Sequence, residues 1–243
     1  MKIGIFGDSF AIGHEPTKPF HWYNLLAEKL DSKVHTYGMG ATSTFYSYKN
    51  FMLYHWQYDL NIFLVTSYPR YTKPLYMSFS GPSQNWVSST NAIEHLRNNF
   101  NLSHDDKVQL DMLYGWYVMS DDDFTKLAQG LIVDKILQTR PDTLIIPCFD
   151  QDLSLSYETR QKLGITETGN CLTFLQKQYD ELGMKDSNSF TERLDAIACH
   201  FTKEVSEVFT EAVYNKIKYN TAISCPTRIE HLHEVTHYYD KKL

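Results

Sequence analysis

Four short runs that read as strands do most to limit what this chain can become: the apolar Lys2–Phe6, Asn61–Thr66 and Thr143–Phe149, and the more polar Lys33–Tyr37. Each is of strand length and is bounded by glycine or polar residues, with Pro147 loosening the ladder near the end of the last. Helical spacing fills the intervals. Trp22, Leu25, Leu26 and Leu30 mark a helix within Phe20–Leu30, and Ser43–Gln57 predicts an aromatic-laden second one. Further helical patterns cover Asp105–Val118 and Phe124–Leu137, the latter preceded by Ser120 and Asp123 at capping-box spacing. Past the fourth run, Thr202 caps a helix whose Val205, Val208, Phe209, Ala212, Val213 and Ile217 form one apolar face. Strand alternating with helix predicts a single α/β domain whose parallel sheet is covered on both faces.

Such a sheet binds ligands at the carboxyl ends of its strands, near the point where strand order reverses. The residues directly after the four runs are therefore expected to converge: Gly7-Asp8-Ser9, Gly38 to Ser43, Thr66 to Arg70, and Asp150 to Asp152. A serine on a tight turn leaving a strand exposes its hydroxyl and can aim its backbone N–H at a developing oxyanion. Gly, Asp and Ser are also ordinary turn residues, so the tripeptide alone leaves turn and nucleophile open. Neither a GxGxxG fingerprint nor a Walker-type loop is present.

Composition removes several other functions. With 42% hydrophobic and 21% charged residues in 243, the chain reads as an ordinary soluble globular protein. A net charge of −6 and the lack of any Lys/Arg run argue against nucleic acid as a partner. No stretch approaches a membrane span, and the N-terminus is too short in apolar residues for a signal peptide, so no membrane association and a cytoplasmic location are expected. The four cysteines lack Cys-x-x-Cys spacing and are expected to be reduced, with Cys199 a packed thiol. His231-x-His233 and His237 are closely spaced, but a zinc site needs additional ligands and a second shell, and none is expected in this tail.

Gly-Asp-Ser after the first strand, a glycine loop after the second and a histidine just before the last helix together resemble the GDSL/SGNH hydrolase superfamily. The resemblance runs to about Ile217. It implies a flavodoxin-like three-layer α/β/α fold with a central parallel sheet and a helical insertion between strands three and four. The implied domain spans residues 1–220, with residues 76–138 as a helical cap, whose aromatic residues either roof the site or simply pack the cap, and 221–243 as a C-terminal tail. It further implies that Ser9 is the nucleophile, that Gly40 lends an N–H to the oxyanion hole beside that of Ser9, and that His200 is the base.

Two positions depart from the family pattern. Where an oxyanion asparagine is usual, this chain reads Thr66-Ser67-Tyr68-Pro69-Arg70, so Ser67 takes the donor's place. That Thr-Ser-x-x-Arg variant resembles SGNH-like proteins often found in phage genomes, which would place the protein in a host cytoplasm or a virion. Arg70 is a candidate for an anionic group on the substrate. Three residues before His200, where the family carries its aspartate, stands Ile197; Asp195 is the nearest acid, with Asp150 and Asp152 further candidates. A backbone carbonyl behind the imidazole would leave a Ser–His dyad.

The activity implied is hydrolysis of an acyl ester, with an acetylated carbohydrate as one substrate class and no metal or organic cofactor. Aromatic content of 14% and residues such as Tyr76, Trp86, Tyr114, Trp116 and Tyr117 suit a sugar- or acyl-binding wall. A different class of function follows from the two departures: a catalytically idle SGNH-like module that binds a glycan or a protein.

Overall fold

Alternation along each strand decides which side of the sheet a residue serves. In the computed structural model β1 (Lys2–Gly7), β2 (Lys33–Gly38), β3 (Leu60–Val65) and a later strand over Leu144–Pro147 form one sheet. Its order is β2-β1-β3 followed by that later strand, and every pairing is parallel. Two short segments precede the later strand in sequence, β4 (Pro74–Leu75) and β5 (Asn85–Trp86), which pair with each other antiparallel. The Leu144–Pro147 strand is therefore β6. The structure describes residues 1–12, 20–39, 42–66, 74–75, 85–86, 98, 102–118, 122–148, 171–181 and 201–229.

Six helices complete the described fold: α1 (Trp22–Lys29), α2 (Thr44–Tyr54), α3 (His104–Val118), α4 (Asp122–Thr139), α5 (Cys171–Glu181) and α6 (Lys203–Tyr219). Ile3, Ile5, Ile62, Leu64 and Ile146 point to one face of the sheet. There they meet Trp22 and Leu26 of α1, Phe174 of α5, and Val205, Phe209 and Val213 of α6. Phe6, Phe63, Val65 and Ile145 point to the other, against Phe51 of α2 and Val133, Ile136 and Leu137 of α4. Helices on both faces of a parallel sheet make the three-layer α/β fold that the alternating pattern predicts.

α4 lies on the sheet, its Val133, Ile136 and Leu137 filling the second core. Past α6, Ile223 and Ile229 are buried in the first core, and the Ile229 N–H donates to Glu181. α6 and α1 pack side by side within the layer on the first face. Thr210 donates to the Trp22 carbonyl, Lys29 pairs with Glu211, and the Trp22 and Phe209 rings meet edge to face.

Candidate active site

The chain leaves β1 for β2 on one side, then crosses back over β1 to enter β3 on the other. The reversal point lies between the carboxyl ends of β1 and β3, where α/β sheets form their ligand crevices. Gly7 ends β1, and Ser9–Ala11 follows as a single 3-10 turn with Asp8 as its N-cap.

Asp8 is fully buried, and its carboxylate joins three strand ends. Oδ1 accepts from the Phe10 N–H at 3.1 Å, and Oδ2 accepts from Thr66 Oγ1 at 2.6 Å, just beyond β3. Cys148 Sγ, just beyond β6, lies 3.9 Å from Oδ1. A buried carboxylate is tolerable only with such donors around it.

Ser9 occupies the first position of this turn and is half-buried, while Phe10 and Ala11 beside it are buried. The turn is closed by the Ala11 N–H on the Asp8 carbonyl and the Ile12 N–H on the Ser9 carbonyl, at 3.0 and 3.1 Å. Trp22 Nε1 donates to the Phe10 carbonyl at 2.8 Å, fixing the turn to α1.

The turn also presses on β2. A Cβ on Gly38 would lie 2.7 Å from both the Asp8 carbonyl oxygen and the Ala11 Cβ. Backbone on one side leaves no flexible atom to yield, so glycine is required here for close approach. Gly38→Ala is expected to destabilise the fold by about 1–3 kcal/mol, the usual range for overpacking, measured by urea unfolding. An unchanged midpoint would show that the turn is free to lift away.

Beyond β2, the Met39 carbonyl accepts from Thr42 Oγ1 at 2.8 Å, and Ser43 Oγ caps α2 by accepting from the Tyr46 N–H. Thr42, Ser43 and Thr44 are all buried. Beyond β3, the Thr66 carbonyl accepts from Gln129 Nε2 of α4 at 3.1 Å and from Thr44 Oγ1 at 3.4 Å. Gln129 Nε2 also donates to Thr44 Oγ1 at 3.0 Å. A polar cluster of Asp8, Thr44, Thr66 and Gln129 thus underlies this edge of the sheet.

Of the residues expected to form the site, Ser9 stands at this edge. Gly40, Ser67, Arg70, Asp195 and His200 lie outside the described residues, as do Asp150, Asp152 and Cys199. Their sequence neighbours are described. Phe201 is buried, its ring centroid 5.3 Å from that of Phe10. The Thr202 N–H donates to Gln178 Oε1 of α5 at 2.8 Å, and Thr202 Oγ1 caps α6.

Among the described residues, Tyr58 and Cys225 show clear upward titration shifts. Burial, then the hydrogen bond with Tyr37, holds the Tyr58 phenol far above its ordinary range. Burial pushes the Cys225 thiol up to about 11. That thiol is therefore protonated at neutral pH and a poor nucleophile.

Asp8 and Thr66 fall in the strand-end segments expected to converge, whereas Thr44 and Gln129 are site-edge residues that sequence patterns do not assign. Gln129 carried a signal: it precedes Val133, Ile136 and Leu137 at helical spacing, a polar side chain on an apolar stripe. Among the described residues no group of three or more His, Cys, Asp or Glu is placed to hold a metal ion. No described helix is long and apolar enough to cross a membrane.

No family model matches the sequence, and no curated protein matches it. Solved structures do. The fold is similar to a protein from Desulfitobacterium hafniense DCB-2 described as lipolytic and of the G-D-S-L family. Identity is 13%, with 88% of this chain and 98% of that one covered and a TM-score of 0.39. It is similar to a lipase/acylhydrolase from Enterococcus faecalis at 13% identity, covering 93% and 99% of the two chains, with a TM-score of 0.41. A member of the lipolytic G-D-S-L family from Veillonella parvula DSM 2008 aligns at 13% identity over 90% and 98%, with a TM-score of 0.35.

Proposed function

We propose that this chain is a serine hydrolase of the GDSL/SGNH type that cleaves an acyl ester, with Ser9 as nucleophile and His200 as base. One observation carries the reading: the residue after Ser9 packs directly on the residue after His200, the Phe10 and Phe201 rings being 5.3 Å apart. Residues from opposite ends of the sequence meet beside the strand-order reversal. The buried Asp8 cap holds the Ser9 turn rigid, as a nucleophile aimed at one point in space requires.

In this mechanism Ser9 Oγ attacks the ester carbonyl carbon while His200 takes its proton. The Ser9 and Gly40 N–H groups and the Ser67 hydroxyl stabilise the resulting oxyanion. Collapse breaks the bond to the alcohol, which leaves with the proton from His200. Water, deprotonated by His200, then attacks acyl-Ser9, releasing the acid and restoring the serine. Asp195 or a backbone carbonyl orients the imidazole, and Arg70 binds an anionic part of the substrate. The aromatic content fits an acetyl ester on a carbohydrate.

A serine-directed fluorophosphonate tests this without the natural substrate. It is expected to phosphonylate one serine, located by peptide mass mapping on the N-terminal peptide that contains Ser9, with no adduct in Ser9→Ala. An adduct elsewhere, or none, would favour the idle binding module.

A further inference from the structure

We propose that Gln129 is the positioning residue of the oxyanion hole, a role that rests on the hydrolase reading above. Its side chain comes from α4, far in sequence from both loops it touches, and is buried. One amide nitrogen serves two partners: Thr44 Oγ1, where the loop after β2 enters α2, and the Thr66 carbonyl, where the chain leaves β3. These loops carry Gly40 and Ser67, the proposed donors to the oxyanion besides Ser9 itself. The amide orientation is forced, because the Thr66 carbonyl only accepts and so must face Nε2.

The peptide unit is planar, so holding the Thr66 carbonyl constrains the direction in which the chain leaves β3. The carboxylate of Asp8 grips the same threonine through its hydroxyl. Thr66 is thus tied on its side chain to the nucleophile's turn and on its backbone to Gln129. Gln129 thereby holds the β2 and β3 loops in one register relative to Ser9.

The other half of the amide shows that this arrangement does not optimise stability. Gln129 Oε1 is buried and, among the described residues, has no donor. An unpaired buried acceptor is unfavourable, and an apolar side chain of similar length would suit the stripe formed with Val133 and Ile136 better. The Thr66 carbonyl would keep the Thr44 hydroxyl as a partner in such a variant. Its two donated bonds, not packing, account for a glutamine here.

The test is a kinetic cycle on p-nitrophenyl acetate with wild type, Gln129→Met, Ser67→Ala and the double variant, with urea midpoints measured alongside. Gln129→Met is expected to lower kcat roughly 10- to 100-fold, with KM nearly unchanged and the midpoint not reduced. In the Ser67→Ala background the same change is expected to have less effect, because one of the two donors it aims is gone. If Gln129→Met does not fold, Thr44→Val removes one of the two anchors and is expected to give a smaller kcat loss of the same kind. Ser9-dependent turnover that Gln129→Met (or, in its place, Thr44→Val) leaves intact, or a loss fully additive with Ser67→Ala, overturns the positioning role alone. Wild-type turnover that does not depend on Ser9 overturns the hydrolase reading and this role with it.

Discussion

Ser9→Ala is expected to lower kcat for p-nitrophenyl acetate by on the order of 10⁴-fold or more, as removal of the nucleophile does in serine hydrolases that act through a histidine. The size follows from the mechanism: without Oγ there is no acyl-enzyme, and water must attack the ester directly. The fold should be unaffected. The hydrogen bonds that close the turn use the backbone of Ser9 and the side chain of Asp8, not the Ser9 hydroxyl. Steady-state rates at matched protein concentration, with near-ultraviolet circular dichroism as the fold control, decide the matter. Equal rates in the two proteins would remove Ser9 from the chemistry and leave glycan or protein binding as the function to pursue.

Asp8→Ala should produce the largest loss of stability among changes at the site, about 3 kcal/mol by urea unfolding. The carboxylate accepts from Thr66 Oγ1 and the Phe10 N–H in a fully buried setting, so its removal strands both donors. Asp8→Asn separates hydrogen bonding from charge. Its carbonyl oxygen can still cap Phe10, and its amide can donate to the Thr66 oxygen once that hydroxyl turns away. A loss near 1 kcal/mol is expected for this variant. Equal losses in the two variants would mean that the negative charge, not the bond network, holds the strand ends together.

The sheet was legible because its signal is local. Ile3, Ile5 and Phe6, or Ile62, Phe63 and Leu64, announce strands by their density, and strand ends moved by only a residue or two. The Thr202 cap and the face of α6 were equally local. Three features were not. Helix α5 is hard to see in the sequence because its apolar residues crowd into Cys171, Leu172, Phe174 and Leu175 and a mostly polar half follows, although Cys171, Phe174 and Leu175 reach the core. The β4–β5 pair comprises two residues on each side, one of them within a stretch rich in Ser, Gly and Pro. Helix α4 was read as a helix, but periodicity names an apolar face without naming what covers it.

The site divides in the same way. A turn carrying Ser9 could be seen in Gly7-Asp8-Ser9, since its chemistry lies within a few residues. That Asp8 reaches Thr66 and Cys148 could not, because those partners lie 58 and 140 residues away and meet only after the sheet is ordered. Gln129 belongs to the same class, its partners 63 and 85 residues distant.

The packing of Phe10 on Phe201 bears on biosynthesis as well as on geometry. Ser9, the proposed nucleophile, leaves the ribosome directly after β1. The ring that walls its turn, and the Phe209 that backs Trp22, emerge only after β6, the last described strand. A nascent chain stalled after β6 would hold every described strand of the sheet yet leave the first core open and the Ser9 turn loosely held. Contacts so distant in sequence also form slowly. The turn that carries Ser9 therefore stays open on this side until Phe201 and α6 have been made.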